Sequence, residues 1–263
     1  MVISERNIDL WLAFYHEMAD PRQLANMREL LTGDERRQEP RFYFEDDRRR
    51  YLVTRAMVRT VLSRYAAVAP SDWVFAANAY GRPEIANRHP DAAGLCFNIS
   101  HSRGLIALAV SRHRIVGVDV ENLATREVSI GIADRFFSPL EVAELAGIPP
   151  ERQQDRFFEY WTFKESYIKA RGMGLSLPLD KFSFRFPHER AVRIAIDPEL
   201  NDDPGRWIFS QYRPTPEFLL ALCVERLDGA APLLTARKTV PTVGDEAFGM
   251  TLLKTSEVDA EGR

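Results

Sequence analysis

Apolar residues at 51, 57, 58, 61, 62 and 65 share one helical face, so the run from Arg48 to Tyr65 predicts an amphipathic helix. Asp46 and Asp47 stand at its start, where acids favour helix entry. Pro70 and Ser71 punctuate, and Tyr80-Gly81-Arg82-Pro83 is a turn signal. The apolar run 94–100 predicts a strand, followed by the polar turn His101-Ser102-Arg103-Gly104. Two further strand-like runs, 105–110 and 115–120, are joined by Ser111-Arg112-His113-Arg114, which predicts a β-hairpin between them. A long helix is expected over 153–171, closed by Gly172 as a left-handed cap. Runs 181–186, 206–212 and 218–224 read as strands. From Asp228 onward the periodicity lapses, so 228–263 is expected to be a loosely structured tail. A long helix and a group of strands occur on both sides of about residue 118. The expectation is an α+β chain of two similar units, 1–118 and 119–227.

Composition narrows the class. The 45% hydrophobic content can supply a core, and the net charge of -3 excludes a generally basic nucleic-acid coat. No run approaches the roughly 18 apolar residues of a membrane span. The first twenty residues mix acids and bases into their apolar positions, which is unlike a signal peptide. Cys96 and Cys223 sit in apolar runs and read as buried reduced thiols. The five histidines form no i, i+4 ligand pair, which argues against zinc. A cytoplasmic enzyme or binding protein is expected, with neither nucleic acid nor membrane as partner.

Three segments carry chemistry. In Gly117-Val118-Asp119-Val120-Glu121 the strand period of two puts both carboxylates on one face, about 6.5 Å apart at Cα. Such a pair suits a hard cation such as Mg²⁺, or is simply the solvated side of an alternating strand. In the helix, Phe157, Tyr160, Trp161 and Ile168 form an apolar stripe with Lys164 in its middle and Glu165 towards its edge. Lys169 lies one turn beyond Glu165. These charges are either a snorkelling lysine and a surface pair, or part of a site. His101 and the two hydroxyls of Ser100 and Ser102, just after a buried strand, can offer an imidazole and a Ser hydroxyl or backbone N–H to a phosphate oxygen, or are plain surface. Arg48-Arg49-Arg50 and Arg82 are further candidate phosphate binders. Gly172-Met173-Gly174 follows a helix rather than a strand, so capping explains it better than a phosphate loop.

Taken together, FNISHS (97–102), GVDVE (117–121), RFFSPLE (135–141) and WTFKESYIKARGMGLSLPLDKFSF (161–184) resemble the Sfp-type 4′-phosphopantetheinyl transferases. The upstream RFYFEDDRRRYLVTRAMVR (41–59) is similar to the family's N-terminal helix, and the resemblance spans roughly 1–227. It implies two similar subdomains related by a pseudo-twofold axis, with coenzyme A and Mg²⁺ (or Mn²⁺ in its place) in the cleft between them. The implied reaction moves the phosphopantetheine arm onto a serine of an apo acyl, peptidyl or aryl carrier protein and releases 3′,5′-ADP. Such carriers serve nonribosomal peptide, polyketide or fatty acid biosynthesis.

By the same resemblance Asp119, Glu121 and Glu165 would hold the metal, Lys169 would contact the pyrophosphate, and Lys164 would support the site. Ser100 and His101 would bind coenzyme A phosphates, Arg50 and Arg82 would lie near the nucleotide, and Glu141 would take the serine proton. The chain departs from the family pattern in having GDERRQEP, with Arg36 and Arg37, where lysines are frequent, and Arg82 where a lysine is common. Length and the KES form favour the broad-range monomeric type over the short trimeric holo-acyl-carrier-protein synthases. The competing readings are a Mg²⁺-dependent nucleotide pyrophosphate hydrolase and a non-catalytic coenzyme A-binding module.

Overall fold

The computed structural model describes residues 1–125, 130–227 and 231–257. Strand β1 (Asn7–Ala13) leads through helices α1 (Pro21–Glu29) and α2 (Gly33–Gln38) to the long helix α3 (Glu45–Leu62). Helix α3 begins a turn earlier than its apolar period indicates, because Glu45, Asp46 and Asp47 complement the positive end of the helix dipole. A small hairpin, β2 (Phe75–Ala77) with β3 (Pro83–Ile85), comes next. Strands β4 (Leu95–Ser102), β5 (Leu105–Arg112) and β6 (Val116–Asn122) follow. Then come helices α4 (Ala133–Phe136), α5 (Pro139–Gly147) and α6 (Pro150–Arg171). The remaining strands are β7 (Phe182–Arg185), β8 (Arg193–Ile196), β9 (Trp207–Arg213) and β10 (Phe218–Glu225). Three more, β11 (Leu233–Val240), β12 (Gly244–Ala247) and β13 (Thr251–Thr255), complete the described chain.

Among the described residues the two large sheets have the orders β12-β11-β1-β5-β4 and β13-β9-β10-β6. They pack face to face. Leu10, Leu12, Ala107 and Ala109 of the first meet Val118, Val120, Leu220 and Leu222 of the second in one buried apolar cluster. On the outer face of the first sheet, Val53, Met57 and Val61 of α3 cover Trp11, Ile106 and Leu108. On the outer face of the second, Phe158, Phe163 and Tyr167 of α6 cover Phe209, Leu219 and Ala221. Each half is thus a sheet backed by one long helix, in an α+β fold of four layers.

Three expectations need correction. Strands β5 and β6 form no hairpin with each other: β5 pairs with β4 and β1, and β6 pairs with β10. The linker 113–115 carries the chain from one sheet to the other, with His113 at φ 53. The expected boundary at 118/119 falls inside β6. The supposed loose tail supplies β11 and β12 to the first sheet and β13 to the second, β11 running parallel to β1 and β13 antiparallel to β9. Ion pairs anchor it, Asp245 with Arg64, and Lys254 with Glu159 at 3.1 Å. Residues 228–230 and 258–263 of that segment lie outside the described residues.

Candidate active site

Strand β6 meets helix α6 at Gly117. A Cβ at that position would lie 2.0 Å from the Ser166 carbonyl oxygen, so only glycine permits this approach. The next two residues on the same face of β6 are Asp119 and Glu121, both buried at 5% and 7% exposure. Val118 and Val120 face the inter-sheet core. Glu165, Ile168 and Lys169 of α6 line a cleft of about 260 Å³ together with Tyr80, Gly81, Arg82, Pro83, Asn98 and Ile99. The Tyr80 turn belongs to the first half and α6 to the second. The cleft therefore lies between the two halves.

Lys169 Nζ donates to Asp119 Oδ1 at 2.7 Å and to Ser100 Oγ at 2.8 Å. Ser100 Oγ in turn donates to Asp119 Oδ1 at 2.9 Å. The other oxygen, Asp119 Oδ2, is buried and has no hydrogen-bond partner among the described residues. A bare buried carboxylate oxygen is costly unless a cation or water meets it. Glu121 is held at both oxygens, Oε1 by Trp161 Nε1 at 3.0 Å and Oε2 by Ser102 Oγ at 3.3 Å. Among the described residues no three His, Cys, Asp or Glu side chains stand as a ready-made metal cage. Mg²⁺ needs no such cage, since it takes one or two carboxylates and completes its shell with water and substrate phosphates. The hard oxygen donors and the bare Oδ2 fit that ion.

The serines act as a pair. Strands β4 and β6 are terminal strands of different sheets, and side chains of β4 join them. Asn98 Oδ1 accepts from Val118 N at 2.9 Å, Ser100 Oγ from Val120 N at 3.3 Å, and Ser102 Oγ from Asn122 N at 2.9 Å. The FNISHS segment therefore stitches the two halves and aims both acidic side chains. Asn98 and Trp161 were not among the residues expected to matter, and the Ser102 hydroxyl was expected towards phosphate rather than towards Glu121. Their signal was present: Asn98, Ser100 and Ser102 put polar groups on one face of a strand whose other face is apolar.

His101 is exposed beside this seam. Loss of surrounding water, then the charges of Arg50 and Lys169, hold its imidazole below the ordinary value of 6.5. Arg50 is paired with Asp47 at 2.8 Å. Arg82 lines the cleft but donates Nη1 to the carbonyl oxygens of Lys169 and Ala170 at 3.1 and 3.0 Å. It thereby satisfies carbonyls at the end of α6 that have no helical partner. The bonds Arg82 makes in the structure are thus those of a helix cap at the wall of the cleft. Gly172, at φ 67, ends the helix as the sequence predicts.

Glu141 and Lys164 are elsewhere. Lys164 Nζ sits 2.8 Å from Glu141 Oε2, both side chains 0% exposed. Lys164 also donates to the carbonyls of Leu179 and Phe182, each at 2.7 Å. Glu141 accepts from the backbone of Ser138 and Phe184, both at 2.8 Å, and forms the capping box that starts α5. Sealed from solvent and fully bonded, Glu141 cannot reach a serine proton, nor Lys164 coenzyme A. The assignments implied by resemblance are corrected here: this pair ties together RFFSPLE, WTFKES and LPLDKFSF.

Comparison with known proteins agrees with this division into halves. The profile described as 4′-phosphopantetheinyl transferase, N-terminal, matches residues 18–113. The 4′-phosphopantetheinyl transferase superfamily profile matches 115–223, so the two meet where the chain changes sheet. The chain is 36% identical to 4′-phosphopantetheinyl transferase Sfp of Bacillus subtilis, over 75% of this chain and 84% of that one. It is 38% identical to 4′-phosphopantetheinyl transferase HetI of a Nostoc species, over 59% of this chain and 65% of that one. A more distant relative, the Thraustochytrium phosphopantetheinyl transferase, is 29% identical over 87% of this chain and 83% of that one.

Proposed function

Because the chain belongs to the 4′-phosphopantetheinyl transferase superfamily, we propose that its inter-half cleft is where coenzyme A meets an apo carrier protein. The activity is transfer of the phosphopantetheine arm of coenzyme A to a carrier protein. The carrier serine oxygen attacks the pantetheine-side phosphorus, and its bond forms as the bond to the bridging oxygen breaks. The products are holo-carrier and 3′,5′-ADP. The observation that carries this reading is the convergence of Asp119, Ser100 and Lys169 where the GVDVE strand meets the helix lining the cleft.

In the proposed arrangement Asp119, Glu121 and Glu165 hold Mg²⁺, for which Mn²⁺ can stand in. A cation there supplies charge that offsets the negative charge building on the leaving phosphate. Lys169 turns its ammonium from Asp119 towards the pyrophosphate when substrate enters. His101 and Arg50 face the phosphates at the nucleotide end, and the Tyr80–Pro83 turn walls the cleft. With Glu141 sealed away, Glu165, which lines the cleft, would receive the serine proton directly or through a water while also facing the metal.

Among the described residues no helix is long and apolar enough to cross a membrane. The free thiols Cys96 and Cys223 fit the reducing cytoplasm, where we place the reaction, with a monomer as the working unit. The test is intact-mass analysis of an apo carrier protein incubated with this protein, coenzyme A and Mg²⁺. The expected result is a gain of one phosphopantetheine unit, absent with EDTA and absent when the carrier serine is replaced by alanine. Cleavage of coenzyme A without any gain on a panel of apo carriers would instead identify a pyrophosphate hydrolase.

A further inference from the structure

Glu121 is oriented by two neutral donors from opposite sides of the molecule. Ser102 reaches it from β4 of the first half, and Trp161 from α6 of the second. The Ser102 hydroxyl repeats the pattern of Ser100 two residues earlier. Each serine accepts from one β6 N–H and gives its own proton to the carboxylate preceding that N–H: Asp119 and Val120 for Ser100, Glu121 and Asn122 for Ser102. The indole of Trp161 is fixed by Phe157, stacked at 6.2 Å, and by Phe136, edge-on at 5.4 Å. Its N–H therefore points at Glu121 without the rotamer freedom of a flexible donor. A carboxylate held at both oxygens, at 3.0 and 3.3 Å, by donors fixed on two different elements is kept from swinging away to solvent and stays directed at one place.

We propose that Ser102 and Trp161 are positioning residues that set Glu121 for the divalent cation, and that they do so across the junction of the two halves. This rests on the reading of Asp119 and Glu121 as metal ligands. It makes cation affinity depend on how the halves are docked, because one donor comes from each. Neither residue touches the substrate in this account. Their loss lowers affinity for the metal while leaving metal-free affinity for coenzyme A in place.

The test measures Mn²⁺ binding to the full chain from the electron paramagnetic resonance signal of free Mn²⁺, with coenzyme A present and no carrier protein. Trp161→Phe removes the N–H with part of the indole and keeps one aromatic ring beside Phe157 and Phe136. Ser102→Ala removes the hydroxyl, and Ser102→Thr restores it. Trp161→Phe and Ser102→Ala are each expected to weaken Mn²⁺ binding about tenfold, a usual cost of losing a partner behind a metal ligand. Ser102→Thr should return it to within twofold of the parent. Coenzyme A binding in EDTA, measured by calorimetry, should be unchanged in all three. Mn²⁺ affinity within twofold of the parent in both Trp161→Phe and Ser102→Ala, while Asp119→Asn abolishes it, would overturn the positioning role and spare the metal site. Parent protein that binds no Mn²⁺, or Asp119→Asn protein that binds it as well as the parent, would overturn the metal-site reading and this inference together. If the Ser102→Ala protein fails to fold, Trp161→Phe decides alone, since it leaves no buried backbone N–H without a partner.

Discussion

Lys164 and Glu141, 23 residues apart in sequence, form an ion pair at 2.8 Å from which solvent is completely excluded. Burial pushes the Lys164 ammonium down and Glu141 opposes that shift. Breaking one partner of such a pair costs about 3–5 kcal/mol, because the other charge is left buried and alone. Glu141→Gln is therefore expected to lower the unfolding free energy by about that much in a urea titration. The folded fraction should keep the parent's pH–rate profile. A variant with parental stability whose acidic limb in the rate profile has vanished would return Glu141 to the role of proton acceptor.

Lys169 is bonded to both Asp119 and Ser100, yet its side chain keeps 26% exposure towards the cleft. Lys169→Gln should weaken coenzyme A binding by roughly tenfold or more, the scale of one hydrogen bond to a charged group. Calorimetry in EDTA isolates this from any effect on the metal. Unchanged affinity would mean that the ammonium never leaves Asp119.

For His101 the sign follows from its lowered pKa. Water loss and Arg50 keep the ring neutral at pH 7, whereas an adjacent phosphate favours the imidazolium. Coenzyme A binding should take up a proton, so affinity should rise as pH falls from 8 to 6 and lose that trend in His101→Gln. Stability runs the opposite way. The folded state binds this proton less readily than the unfolded chain, so the contribution is complete above pH 6.5 and is lost as pH falls below it. His101→Gln should flatten that part of the Tm–pH curve. Calorimetry in two buffers of different ionisation enthalpy counts the proton, and an uptake of zero would sink the phosphate contact.

Truncation after residue 227 removes β11 to β13 and bares one edge of β1 and one of β9. Open strand edges invite pairing between molecules. The truncated chain should melt earlier and sediment as larger species, whereas a truly loose tail could be removed with no change in either.

The reading of the sequence succeeded where one short period decided the geometry. Alternation in GVDVE placed Asp119 and Glu121 on one face, and the helical stripe ending at Gly172 located α6. It failed where partners are remote in sequence. The linker 111–114 looks the same whether the next strand returns to its neighbour or crosses to another sheet, and only the inter-sheet packing of Val116, Val118 and Val120 decides. The half-exposed strands β11 and β12 carry too little apolar pattern to be distinguished from coil before β1 is beside them. Lys164 on an apolar stripe looked like a functional charge because its partner, Glu141, lies on another helix. Resemblance alone likewise could not tell a buried carboxylate from one that lines the cleft.

The most direct test of the site is a crystal grown with coenzyme A and Mn²⁺ and measured at the manganese edge. The account predicts an anomalous peak against Asp119 Oδ2 and Glu121, with the pyrophosphate beside it in the cleft between the Tyr80 turn and α6. Coenzyme A bound with its pyrophosphate away from that cleft, or a manganese peak remote from Asp119, would contradict it.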